Sequence, residues 1–91
     1  MEGNMRIRLN NLIKEIKQST ILHFKYDGIE QTILISKDNK VLKKSKFQKH
    51  YQYIQLNLDK QNTSYIIALY EALSSHLKAV KDIKLLLSEK G

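Results

Sequence analysis

Asp27 and Gly28 stand between two runs rich in β-branched and aromatic residues, Thr20 to Tyr26 and Ile29 to Ser36. An Asp-Gly pair so placed predicts a two-residue hairpin loop, because the turns that match the twist of paired strands need positive φ. A loop of fixed length also fixes register. It pairs Tyr26 with Ile29, Lys25 with Glu30, Phe24 with Gln31, His23 with Thr32, Leu22 with Ile33 and Ile21 with Leu34. Opposite charges then meet at Lys25 and Glu30. Leu22, Phe24, Tyr26, Ile29, Ile33 and Ile35 gather on one face, which is expected to meet helices.

Helical periodicity flanks this hairpin. Leu9, Leu12, Ile13 and Ile16 follow the i, i+3, i+4, i+7 rule and Met5 extends the stripe, predicting an amphipathic helix over about 5–18 with Asn4 as its N-cap. The alternation Met5-Arg6-Ile7-Arg8-Leu9 also fits a short strand leading into a helix capped by Asn10. At the other end, Ile66, Leu69, Leu73, His76 or Leu77, Val80, Ile83 and Leu87 alternate spacings of three and four, behind a cap at Asn62 or Thr63. A continuous helix to Glu89 would extend about 40 Å at ~1.5 Å per residue, longer than the sheet it covers. Either it breaks near Ser74-Ser75 and folds back, or its C-terminal half pairs with another subunit. The bent or broken form is favoured.

Between hairpin and final helix, Lys37-Asp38-Asn39-Lys40 reads as a turn and Val41 to Lys44 as a brief third strand. Ile54, Leu56 and Leu58 alternate with Tyr53, Gln55 and Asn57, predicting a half-buried strand over about 50–58 that leaves Tyr51 and Tyr53 on the wetter face. The expected architecture is α+β in two layers: an N-terminal helix, an antiparallel sheet of three or four strands and a long C-terminal helix. Residues 1–4 are expected to be a loose tail and 5–91 a single domain.

Charge is the strongest functional signal. The chain carries a net charge of +7, and five of those charges lie between Lys37 and His50, where six lysines face Asp38 alone. Each flank is close to neutral. A local cationic patch interleaved with Phe47, His50, Tyr51 and Tyr53 is the pattern by which proteins hold nucleic-acid strands. The candidate contacts are Lys37, Lys40, Lys43, Lys44, Lys46, Phe47, Lys49, His50, Tyr51 and Tyr53. Lysine lacks the bidentate fork that reads guanine, so phosphate contact is expected rather than base readout. Five engaged lysines would give a salt slope of about −4.5 on duplex DNA. A competing explanation is that lysines protect an edge strand from aggregation.

Other chemistries find little support. The chain has no cysteine, hence no disulfide or thiolate site. His23, His50 and His76 lack metal-ligand spacing, and Ser74-Ser75-His76 places its groups about 100° apart on a helix. The carboxylates are scattered and no glycine-rich phosphate loop exists, so neither a catalytic set, a metal nor a cofactor is expected. Met1-Glu2-Gly3-Asn4 lacks the basic and then apolar pattern of a secretory signal, and no apolar run reaches membrane length. A cytoplasmic location is expected, without membrane contact.

The order helix, three strands, helix is similar to that of the double-stranded-RNA-binding domain. That family places its basic cluster at the start of the second helix, where this chain has Asn62-Thr63-Ser64-Tyr65-Ile66, so no residues carry over. The segment Leu9-Asn10-Asn11-Leu12-Ile13-Lys14-Glu15-Ile16-Lys17 resembles a helix of some small phage-encoded inhibitors of RNA-guided nucleases, which are acidic DNA mimics of opposite charge. The leading expectation is a non-enzymatic nucleic-acid-binding protein, DNA and RNA alike fitting the charge pattern. The alternative is an interaction module or inhibitor from a phage or mobile element that docks on a host protein or dimerises through its C-terminal helix.

Overall fold

A computed structural model describes residues 2–90. In chain order it contains α1 (Glu2–Lys14), β1 (Thr20–Tyr26), β2 (Ile29–Ile35), β3 (Val41–Phe47), β4 (His50–Gln55) and α2 (Thr63–Lys90), with a 3-10 turn at Leu58–Lys60. The strands form one antiparallel meander, β1-β2-β3-β4, with the helices on one face. The fold is α+β as expected, and its fourth strand departs from the helix, three strands, helix order of the double-stranded-RNA-binding domain.

The Asp27-Gly28 loop does what its sequence requires. Both residues have positive φ, 53° and 75°, and β1 pairs with β2 in the expected register, extended by Thr20 opposite Ile35. Leu22, Ile33 and Ile35 on the inner face are buried, and Phe24 packs at the margin of the same core. Ile29, at the hairpin end, remains exposed, while Tyr26 opposite it meets the start of α2 through Asn62, Ser64 and Tyr65. The second turn, Lys37 to Lys40, is also as expected. Asn39 adopts φ 65°, which asparagine tolerates well, while the Ser36 carbonyl accepts from the Asn39 amide at 2.9 Å.

The first helix is displaced from its expected bounds. It begins at Glu2, so residues 2–4 are helical and Asn4 lies within the helix, while Met1 lies outside the described residues. It ends at Lys14, tightening through Glu15 and Ile16 amides bonded to Leu12 and Ile13 carbonyls at 3.0 and 3.1 Å, the i to i+3 pattern of a closing turn. The apolar stripe is retained: Leu9, Ile13 and Ile16 are buried, and Met5 and Leu12 flank them. That stripe settles the segment as helix rather than strand.

The final helix is capped by Asn62, whose side-chain oxygen accepts from the Tyr65 amide at 3.1 Å. It then runs unbroken to Lys90. The break expected near Ser74-Ser75 does not occur, since neither proline nor glycine interrupts the i to i+4 ladder there. Burial nevertheless ends midway. Ile66, Leu69 and Leu73 are fully buried, Leu77 and Val80 are half-buried, and residues 81–89 are exposed throughout.

Tyr65 ties this helix to the sheet. Its hydroxyl donates to Gln31 Oε1 at 3.0 Å, and Gln31 is a buried polar side chain on the inner face. Burial first, and the neighbouring Tyr26 second, raise the Tyr65 pKa above the ordinary tyrosine value. A raised tyrosine pKa means the folded state holds its proton more firmly than the unfolded chain. The stabilisation is therefore complete below about pH 10 and declines as pH rises through the folded value. Tyr65→Phe is expected to cost about 1–3 kcal/mol at neutral pH by leaving the buried Gln31 Oε1 without its donor. Urea melts of both forms between pH 8 and 11 should show a smaller alkaline loss in the variant; equal losses would remove Tyr65 as their source.

Candidate nucleic-acid interface

The lysine-rich segment is a strand, and a long one. β3 continues through Phe47, beyond the brief strand expected to end at Lys44, and pairs with β4 from Leu42 opposite Gln55 to Phe47 opposite His50. Against β2, however, β3 pairs only at Val41, Leu42 and Lys43. From Lys44 outward the β3–β4 hairpin leaves the sheet as a two-stranded ribbon. Four residue pairs form this arm, which at ~3.3 Å per residue extends about 13 Å before its loop. Strand pairs without a third neighbour twist more strongly than wide sheets, which accords with the divergence.

The loop is Gln48-Lys49, with a positive φ of 56° at Gln48. Glycine usually takes such a position, so the sequence offered no turn signal here. Both faces of the ribbon are open. β4 is exposed along its whole length, including Ile54 at 50 % exposure. The expectation of a half-buried strand over 50–58 is corrected accordingly: the alternation is real, but the helices do not reach beneath it, and only Leu56 and Leu58 beyond the strand end pack at the core margin.

Register sorts the ten candidate residues. Lys44 and Lys46 lie opposite Tyr53 and Tyr51, so these four share the sheet face turned away from the helices. Lys43, Phe47 and His50 occupy the other face, with Lys43 opposite Ile33 and Ile54 and half-buried. Lys49 sits at the tip. Lys37 and Lys40 belong to the β2–β3 turn at the far end of β3, roughly 20 Å from the tip at strand rise. The ten therefore do not form one surface: eight belong to the β3–β4 hairpin and two flank its base. Ser45, Gln48 and Gln52 on the same ribbon were not singled out from sequence, because polar residues without charge or rings carry no signal until pairing is known.

On the open face, the Lys44 ammonium sits over the Tyr51 ring at 4.7 Å from its centroid and that of Lys46 at 5.9 Å. The electron-rich ring attracts both cations. Tyr51 is 62 % exposed and Tyr53 41 %, so neither is consumed by core packing. From Val41 to Leu58 the chain contains no Asp or Glu, which leaves this positive field uncompensated within the hairpin.

No family model, curated protein or solved structure matches the chain. Among the described residues no three His, Asp or Glu side chains form a group that could hold a metal ion. No described helix is long and apolar enough to cross a membrane.

Proposed function

We propose that the chain is a small, non-enzymatic, cytoplasmic nucleic-acid-binding protein that holds phosphates with the β3–β4 ribbon. One observation carries the reading: Lys44, Lys46 and Lys49 project from an exposed arm, with half-buried Lys43 at its base, and the hairpin contains no acidic residue. A solvated lysine cluster in a disordered loop loses backbone entropy when it engages a strand of phosphates, whereas on a hydrogen-bonded ribbon that backbone part is already lost on folding. The Tyr51 ring further orders two of the ammonium groups. Fluorescence anisotropy of labelled single- and double-stranded DNA and RNA, after nuclease treatment of the protein, is expected to give micromolar or tighter binding that weakens with salt. Absence of binding to all four at low salt would end this reading.

A second reading uses a different surface. Ile83, Leu85, Leu86 and Leu87 on the distal part of α2 are exposed, Leu87 by 65 %, and Val80 with Leu77 and Ile16 lines an adjoining groove of about 420 Å³ rimmed by Lys17, Lys81 and Lys84. An apolar helix end beside such a groove suits a protein partner, including a second copy or a host protein. On this reading the mass from light scattering rises between about 5 and 200 μM, and Leu87→Lys abolishes the rise. A constant monomer mass argues against self-association.

A further inference from the structure

We infer that the acid bound by this chain is double-helical DNA, with the β3–β4 ribbon seated in the major groove. The inference rests on the nucleic-acid reading above and adds the form of the partner. Its first support is the fork in the sheet. Past Lys43 the ribbon is two strands wide, with both faces and the β3 edge released from β2. A B-form major groove, about 12 Å wide and 8.5 Å deep, admits an element of that width, whereas the A-form major groove of RNA is too narrow for side chains to read. An arm of about 13 Å is long enough to enter it.

The second support is the distribution of charge along the arm. Lys44 and Lys46 line one face, Lys49 is at the tip and half-buried Lys43 lies at the base on the other face, so a ribbon lying in the groove carries cations from its base to its tip along the phosphates that flank the groove. A single strand crossing the open face would meet Lys44 and Lys46 but not Lys43.

The third is the state of Tyr51. A base stacking on Tyr51 competes with the ammonium groups of Lys44 and Lys46, which lie 4.7 and 5.9 Å from the ring centroid. Stacking on a face that an ammonium group occupies would displace that cation, setting base contact against phosphate contact. In a duplex the bases stay stacked on each other, and the ring is left to hold its two lysines.

The test uses the intact chain with a 14-base-pair DNA duplex, the RNA duplex of matching sequence, and the single strands of each. The DNA duplex is expected to bind at least tenfold more tightly than the other three. At saturation, dimethyl sulfate should methylate guanine N7, in the major groove, more slowly than in free duplex, and adenine N3, in the minor groove, at an unchanged rate. Equal or tighter binding of single strands, equal binding of the RNA duplex, or protection of adenine N3 with guanine N7 left open would overturn the inference while leaving nucleic-acid binding intact. Failure to bind any of the acids would overturn both.

Discussion

Serine at Lys44, Lys46 and Lys49 together is expected to lower affinity for a short DNA duplex by about two orders of magnitude near 0.15 M salt. The estimate follows from counterion release. Each lysine that neutralises a phosphate contributes about −0.9 to the slope of log affinity against log salt, so Lys44, Lys46, Lys49 and, at the ribbon's base, Lys43 together give about −3.6 and the triple variant about −0.9. This replaces the steeper slope expected from five lysines, because Lys40 lies at the opposite end of β3 from the tip. At roughly 20 Å, that end is well beyond the Debye length of about 8 Å. Serine at Lys37 and Lys40 is therefore the control, expected to change affinity by less than about threefold. Lys43 is left in place because it is half-buried opposite Ile33 and Ile54. The triple variant loses the two contacts with the Tyr51 ring, each worth about 0.5–1 kcal/mol when exposed, so its far-UV spectrum should be retained with a modest fall in melting temperature. A variant that keeps both slope and affinity while folded would remove the ribbon from the site.

The parts of this fold that could be read in advance were those in which two independent signals agree. Asp27-Gly28 sets a loop length and the flanking alternation sets a buried face, and only one register satisfies both; β1 and β2 accordingly pair as expected. The β3–β4 ribbon offers neither signal. Gln48-Lys49 is an atypical turn, and Lys44-Ser45-Lys46-Phe47 has no apolar alternation because neither of its faces is buried. Its charges and rings were visible, but their grouping was not: only pairing shows that Lys44 and Lys46 share a face with Tyr51 and Tyr53 while Lys43 does not. Conversely, Ile54 has the spacing of a core residue and lacks a core to enter. Alternation states which residues share a face. Whether another layer covers that face depends on where helices end, which is a property of the whole chain.

The same limit governs α2, where one periodic stripe runs through two environments. Leu69→Ala is expected to cost about 3–4 kcal/mol, since Leu69 is fully buried in a cluster with Leu9 and Ile13 from α1 and Leu22, Ile33 and Ile35 from the sheet. Neighbours drawn from two layers cannot all close in on the vacated volume, so most of the cavity should persist. For a chain of this size, total stability is roughly 5–14 kcal/mol, so the loss is a large fraction of it. Leu86→Ala deletes the same atoms from the same helix, at an exposed position, and is expected to change stability by less than about 0.5 kcal/mol. Urea denaturation at low protein concentration measures both. A similar cost at the two positions would mean that the distal half of α2 is covered in solution; repeating the Leu86 measurement at increasing protein concentration would then reveal a second copy, because stability contributed by association grows with concentration and stability contributed by an internal contact does not.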